Sequence, residues 1–135
     1  VDGRGVPLGV AVAGAKRNDH LLLQETLDSI PEDCPAPPAD GEQGLWLDKG
    51  YDFAAVHGQV RRNGYVPHIM PRDAERTLLQ KLPGYRARRW PVERTHSWMN
   101  RFRRILVRWE KKAENYTAML HLACAFTAFK QAGVV

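Results

Sequence analysis

Asp48 closes the short apolar run Leu45-Trp46-Leu47, and Glu93 stands just inside a segment that opens with Trp90-Pro91. Carboxylate oxygens are the ligands preferred by hard divalent cations, and a cation held beside phosphate is the usual equipment for phosphoryl chemistry. Asp48 is suitably placed, because open α/β sheets bind their ligands outside the carboxyl ends of strands. The plainer reading makes Asp48 a turn or cap carboxylate; Asp52, four residues on, suits the cap of the following helix and leaves Asp48 for another role. The plainer reading of Glu93 is a first-turn glutamate that complements the helix dipole.

The company of Glu93 argues for more. Between Gly84 and Lys112 lie Arg86, Arg88, Arg89, Arg94, Arg101, Arg103, Arg104, Arg108, Lys111 and Lys112, against only Glu93 and Glu110. Ten basic side chains against two acidic ones give that stretch +8, so the rest of a chain whose total is +5 carries −3. Charge concentrated in this way marks a place where a polyanion is met. Placed at about 100° per residue, residues 90–109 separate into an apolar face of Trp98, Phe102, Ile105, Leu106 and Trp109 and a polar face of Glu93, Ser97, Asn100 and Arg104. Arg101 and Arg108 flank the polar face on one edge, and His96 and Arg103 on the other.

The elements that would hold these residues can be read in order. Residues 6–13 are an apolar run after the turn-like Asp2-Gly3-Arg4-Gly5 and suggest a strand. Asp19 is placed to cap a helix running to about Ile30, and the Pro-rich residues 31–43 form a loop. A strand at 45–47, a helix from about 53 to 63 capped by Asp52 and stopped by Gly64, and a strand at 65–70 give a strand, helix, strand order. One helix is expected over about 90–109, begun by Pro91, and a second, core-covering helix over about 115–130 with Tyr116, Met119, Leu120, Ala123, Phe126 and Phe129 at helical spacing. The 135 residues suit one globular unit, an α/β sheet with helices on its faces. No run approaches the roughly 20 apolar residues needed to span a bilayer. Cys34 and Cys124 show neither zinc-site spacing nor the density of a disulfide scaffold, and the five histidines make no metal pair on one helix. The expectation is a soluble, intracellular chain.

Leu47-Asp48-Lys49-Gly50-Tyr51-Asp52 and Val92-Glu93-Arg94-Thr95-His96-Ser97-Trp98-Met99-Asn100-Arg101-Phe102-Arg103-Arg104 resemble two blocks of the DDE transposases of bacterial insertion sequences, those around the second catalytic aspartate and the catalytic glutamate. Val1-Asp2-Gly3-Arg4-Gly5-Val6-Pro7-Leu8, Gly14-Ala15-Lys16-Arg17-Asn18-Asp19 and the closing helix match in the right order, so the resemblance covers nearly the whole chain. It implies catalytic, metal-binding roles for Asp48 and Glu93, and a ribonuclease-H-like mixed sheet flanked by helices, with the two carboxylates brought side by side. Arg89 resembles the arginine of the family's tyrosine, arginine, glutamate, lysine signature. Tyr85 is one residue too far from Arg89 for that pattern, and the basic position falls on Asn100 with Arg101 beside it.

The resemblance also implies two Mg²⁺ or Mn²⁺ ions in the intact enzyme, DNA (transposon ends and target) as partner, no membrane, and a bacterial cytoplasmic, nucleoid-associated setting. The DNA contacts are assigned to Arg89, Arg94, Arg101, Arg104, Arg108, Lys111 and Lys112. The family's first aspartate belongs to a strand before the opening hairpin, and Asp2, a turn residue, does not replace it. Residues 1–135 are therefore expected to be a C-terminal portion of the catalytic domain, incomplete at the N-terminus, inactive alone, and working as a homodimer or with the missing N-terminal half. Three alternatives stand beside this reading: a non-catalytic basic DNA-binding module, a ribonuclease-H-like nuclease, and a decayed gene product.

Overall fold

The structure is a computed structural model that describes residues 1–32, 34, 41–69, 81 and 90–134. Its sheet is made by two parallel strands, β1 (Gln43–Leu47) and β2 (Tyr65–Ile69), in register from Gln43 opposite Tyr65 to Leu47 opposite Ile69. The crossover between them is helix α2 (Ala54–Arg62), as a parallel pair requires. Alternation along the strands turns Leu45, Leu47, Tyr65 and Ile69 toward Val56 and Val60 of α2 and Leu23 of α1 (Leu23–Asp28), and Leu27 and Tyr51 complete this core. Val60 is wholly buried, at 0% exposure.

The polar side of the same packing is closed by side-chain amides. Gln24 of α1 donates to Asn63 Oδ1 at 3.1 Å and accepts from Asn63 Nδ2 at 3.0 Å and from Gln59 Nε2 at 3.1 Å. Gly64 ends α2 in the left-handed region, φ +81°, and turns the chain directly into β2.

Further helices among the described residues are α3 (Trp90–Met99), α4 (Arg103–Leu106) and α5 (Ala113–Gln131). The single helix expected over 90–109 is two, because the chain leaves helical dihedrals at Phe102 (φ −83°, ψ 103°). Asn100 is a weak helix former that competes for backbone bonds. The break lets the Phe102 ring meet Phe126 of α5 edge-on, with centroids 5.7 Å apart. Within α3 the buried positions lie on and just beside the side where the apolar face was expected. Pro91, Thr95 and Met99 are buried on α3, whereas Trp98, Phe102 and Ile105 are half-buried and Leu106 and Trp109 are 60% and 65% exposed. Of the face expected to meet solvent, Glu93, Ser97, Asn100 and Arg104 are all exposed.

Other boundaries shift for identifiable reasons. Residues 6–13 run without a ladder partner among the described residues, with Val10 N–H donating to Ser29 Oγ at 2.8 Å instead. The first helix begins as a 3₁₀ turn (Asp19–Leu22) for which Asn18, not Asp19, is the cap residue. On α5 the buried positions are Ala123 and Thr127, while Phe126 and Phe129 are exposed; the helix is apolar on most sides, so periodicity could not select a face. Most of the loop at 31–43, and Met70 at the end of the second strand, fall outside the described residues.

The core position of Leu23 predicts that Leu23→Ala lowers unfolding free energy by about 2–5 kcal/mol. Leu21, 56% exposed in the preceding turn, should lose no more than about 0.5 kcal/mol on the same change. Urea unfolding of the two variants measures the contrast, and equal losses would contradict this placement of the core.

Candidate functional site

Asp48 leaves β1 at its carboxyl end, beside the end of β2, and caps a 3₁₀ turn (Lys49–Tyr51). Its Oδ1 accepts from Lys49 N–H at 2.7 Å, and its backbone carbonyl accepts from Tyr51 N–H at 2.9 Å. The division of labour expected from the sequence is therefore reversed. Asp52 does not cap α2, whose cap residue is Phe53; the Asp52 carboxylate meets His57 Nε2 at 3.0 Å.

The two 3₁₀ turns pack on each other, and the His20 ring lies 5.2 Å from that of Phe53. This packing sets Tyr51 near two carboxylates. Burial pushes its phenol above the ordinary value of 10.0, and the charges of Asp19 and Asp48 push it further in the same direction. The sequence reading gave neither Tyr51 nor Asp19 a part at this edge. The available signal was that both belong to the blocks that resemble the transposase family.

Glu93 stands exposed on α3. The main packing of α3 is against α5 and the N-terminal turn, not β1. In that turn the Asp2 carboxylate accepts from Arg4 N–H and Val6 N–H, each at 2.8 Å, and Gly5 takes φ +83°. The buried Thr95 hydroxyl lies 2.5 Å from the Gly5 carbonyl and 2.8 Å from the Pro91 carbonyl.

Arg94, assigned to DNA from the sequence, is occupied locally. Its guanidinium lies 4.1 Å from the Trp90 ring and 5.0 Å from the Trp98 ring, and Nη2 donates to the Arg4 carbonyl. Such stacking uses the planar, weakly hydrated face of arginine. Arg104 Nη1 pairs with Glu110 Oε1 at 3.3 Å, and Arg108 Nε donates to the Glu110 carbonyl at 3.2 Å while its guanidinium stands over Tyr116 at 5.3 Å. Arg101, Arg103, Lys111 and Lys112 are exposed on the same stretch. Arg89 and Tyr85 lie outside the described residues.

Solvent-facing carboxylates at a strand end and on a helix are chemically suited to a hard divalent ion, which retains several waters. Among the described residues, no group of three or more His, Cys, Asp or Glu side chains gathers to hold one. No described helix is long and apolar enough to cross a membrane.

Comparison with known proteins identifies the class. Residues 1–128 match the Transposase DDE domain family, and the chain belongs to it. It is 34% identical over 125 residues to the "Putative transposase for insertion sequence element IS402" of Burkholderia cepacia, an alignment covering 91% of this chain and 57% of that protein. The chain thus spans little more than half the length of this relative. No solved structure matches. The family generally uses divalent metal ions and acts on DNA. The observed architecture is mixed α/β, with a two-stranded parallel sheet and helices.

The surroundings of Tyr51 predict an alkaline signature. The unfolded chain releases this phenol proton first as pH rises, so the stability contribution is intact below 10.0 and is lost as pH climbs through the higher folded value. Tyr51→Phe should flatten that alkaline loss, and Asp48→Asn should shift the phenol's ultraviolet titration downward. An unchanged titration in Asp48→Asn would remove Asp48 from the neighbourhood of Tyr51.

Proposed function

We propose that this chain supplies Asp48 and Glu93, the second aspartate and the glutamate of a DDE site, to a transposase that cuts DNA and joins it to a target using Mg²⁺ or Mn²⁺. The observation that carries the proposal is Asp48 at the carboxyl edge of a parallel strand pair, within a chain that matches the family over residues 1–128. A ribonuclease-H-like sheet is the proposed setting of the intact domain. The parallel β1 and β2 with their helical crossover are consistent with part of it.

When bound, a pair of divalent ions stabilises the attacking and leaving oxygens of an in-line displacement at phosphorus. In cleavage, the oxygen of water bonds to phosphorus, the 3′-oxygen leaves, and a free 3′-hydroxyl results. In joining, that hydroxyl attacks a target phosphodiester and the target's own 3′-oxygen departs. For this chemistry Asp48 and Glu93 would offer hard oxygen ligands. The exposed Arg101, Lys111 and Lys112 would hold backbone phosphates, joined by Arg108 once it leaves the Glu110 carbonyl and by Arg104 once its ion pair with the Glu110 carboxylate yields. Release of Arg104 is inexpensive, since surface ion pairs are typically worth about 0–1 kcal/mol.

Assayed as these 135 residues, the chain should bind duplex DNA with little sequence preference and should not cleave it, because two carboxylates leave the ion pair short of a ligand. Five phosphate contacts give a slope of log affinity against log salt of roughly −4 to −5. Replacing Arg104 and Arg108 together by alanine should flatten it by about 2, equally for all sequences. Glu93→Gln should bind as well or slightly better. Salt-insensitive binding would sink the electrostatic account, and Mg²⁺-dependent cleavage by the 135 residues would sink the claim that a further ligand is needed.

A further inference from the structure

The stripe that α3 buries is unusual for a helix that must hold a functional side chain still. Pro91 and Thr95 offer little apolar area, and Met99 is a flexible filler. Apolar contact is non-directional and would tolerate some roll about the helix axis, whereas hydrogen bonds have direction. Directional contacts are what this helix has. Thr95, 4% exposed, presents one hydroxyl hydrogen to the carbonyls of Gly5 and Pro91, at 2.5 and 2.8 Å.

The surface they meet is itself preformed. Asp2 accepts two backbone N–H bonds across the turn, and the backbone closes it again from Asp2 N–H to the Val6 carbonyl at 2.9 Å and from Gly5 N–H to the Asp2 carbonyl at 3.0 Å. Gly5 is required twice. Its φ of +83° disfavours a side chain, and a Cβ there would lie 3.0 Å from the Pro91 carbonyl and 3.1 Å from Thr95 Oγ1. Arg94 ties the neighbouring edge of α3 to the Arg4 carbonyl of the same turn. Glu93 lies two residues from Thr95, on the exposed side of the helix. A roll of α3 by one residue's angle, about 100°, would replace Glu93 by a neighbour.

We propose that Thr95 and Gly5 are positioning residues for Glu93: the turn of residues 2–5 sets the roll of α3 through the Thr95 hydroxyl and so fixes where the Glu93 carboxylate is presented to a divalent ion. The inference rests on the metal role given to Glu93 above and adds the residues that aim it.

The test is Mn²⁺ binding to the 135-residue chain, followed by electron paramagnetic resonance of the free ion, for wild type, Glu93→Gln, Thr95→Val and Thr95→Ser. Thr95→Val keeps the shape and removes the hydroxyl, and Thr95→Ser keeps the hydroxyl. Thr95→Val is expected to weaken Mn²⁺ binding about tenfold, the lower end of what losing a ligand's direct outer partner costs, because Thr95 acts through the helix and not on the carboxylate itself. Thr95→Ser should stay within about twofold of wild type, a rescue on the same scale. Far-UV circular dichroism at the assay temperature establishes that each variant is folded. If Thr95→Val does not fold, Gly5→Ala, which leaves the sequence of α3 intact, takes its place with the same expected loss. Loss in Glu93→Gln with wild-type binding in the folded Thr95→Val or Gly5→Ala variant overturns the positioning role alone. Wild-type binding in Glu93→Gln overturns the metal reading, and the positioning role with it.

Discussion

The seating of the turn of residues 2–5 on α3 is the constraint on which the arrangement of the described chain depends. The α/β core of Leu23, Val56 and Val60 belongs to α1, α2 and the strands, whereas α3, α4 and α5 pack chiefly on one another. The N-terminal segment touches both. Thr95 and Arg94 hold its turn, and farther along Val10 N–H donates to Ser29 Oγ just after α1. A buried polar side chain is tolerable only when bonded, and the buried threonine of α3 shares its hydroxyl between the Pro91 carbonyl of its own helix and the Gly5 carbonyl of this segment. The helix that carries Glu93 and the core beside α1 are therefore both held by this N-terminal stretch.

The basic stretch shows how local charge serves two ends. Arg94 is committed between Trp90 and Trp98, where its charge helps hold α3. Arg104 and Arg108 converge on Glu110 and brace the corner between α4 and α5, to which Tyr116 adds a bond from its hydroxyl to the Ile105 carbonyl at 3.4 Å. The Arg104–Glu110 pair keeps its guanidinium largely exposed, and pairs near the surface contribute little stability. The corner is therefore ordered by its own contacts.

The strand, helix, strand order and the family were legible in the sequence, and the two carboxylates of the candidate site were picked out there through the blocks that contain them. Leu45 to Leu47, the helix after Tyr51 and the strand from Tyr65 could be read because alternation, a glycine stop and short connections all agreed. The two blocks around Asp48 and Glu93 pointed to the family because many particular residue types stand there in one order, and the family match agrees. What was not legible depended on tertiary contact. Helical periodicity over 90–109 assumed one axis, but the turn at Asn100 to Phe102 gives two, and beyond it Leu106 and Trp109 of the expected apolar face are exposed. Thr95, to which the sequence reading gave no role, proved to be the buried anchor, and its partner, the Gly5 carbonyl, lies 90 residues away. Likewise the cap assigned to Asp52 went to Phe53 once His57 took the aspartate.

The central claim is that Asp48 and Glu93 serve one divalent-ion site. It is tested most directly by loading the chain with Fe²⁺ in place of Mg²⁺ and adding ascorbate and peroxide, so that radicals born at the ion cut the backbone beside its ligands. The account predicts two sets of fragments, one ending near residue 48 and one near residue 93, which fade together as Mg²⁺ is added. Cuts near only one of these positions, or cuts that Mg²⁺ does not suppress, would contradict it.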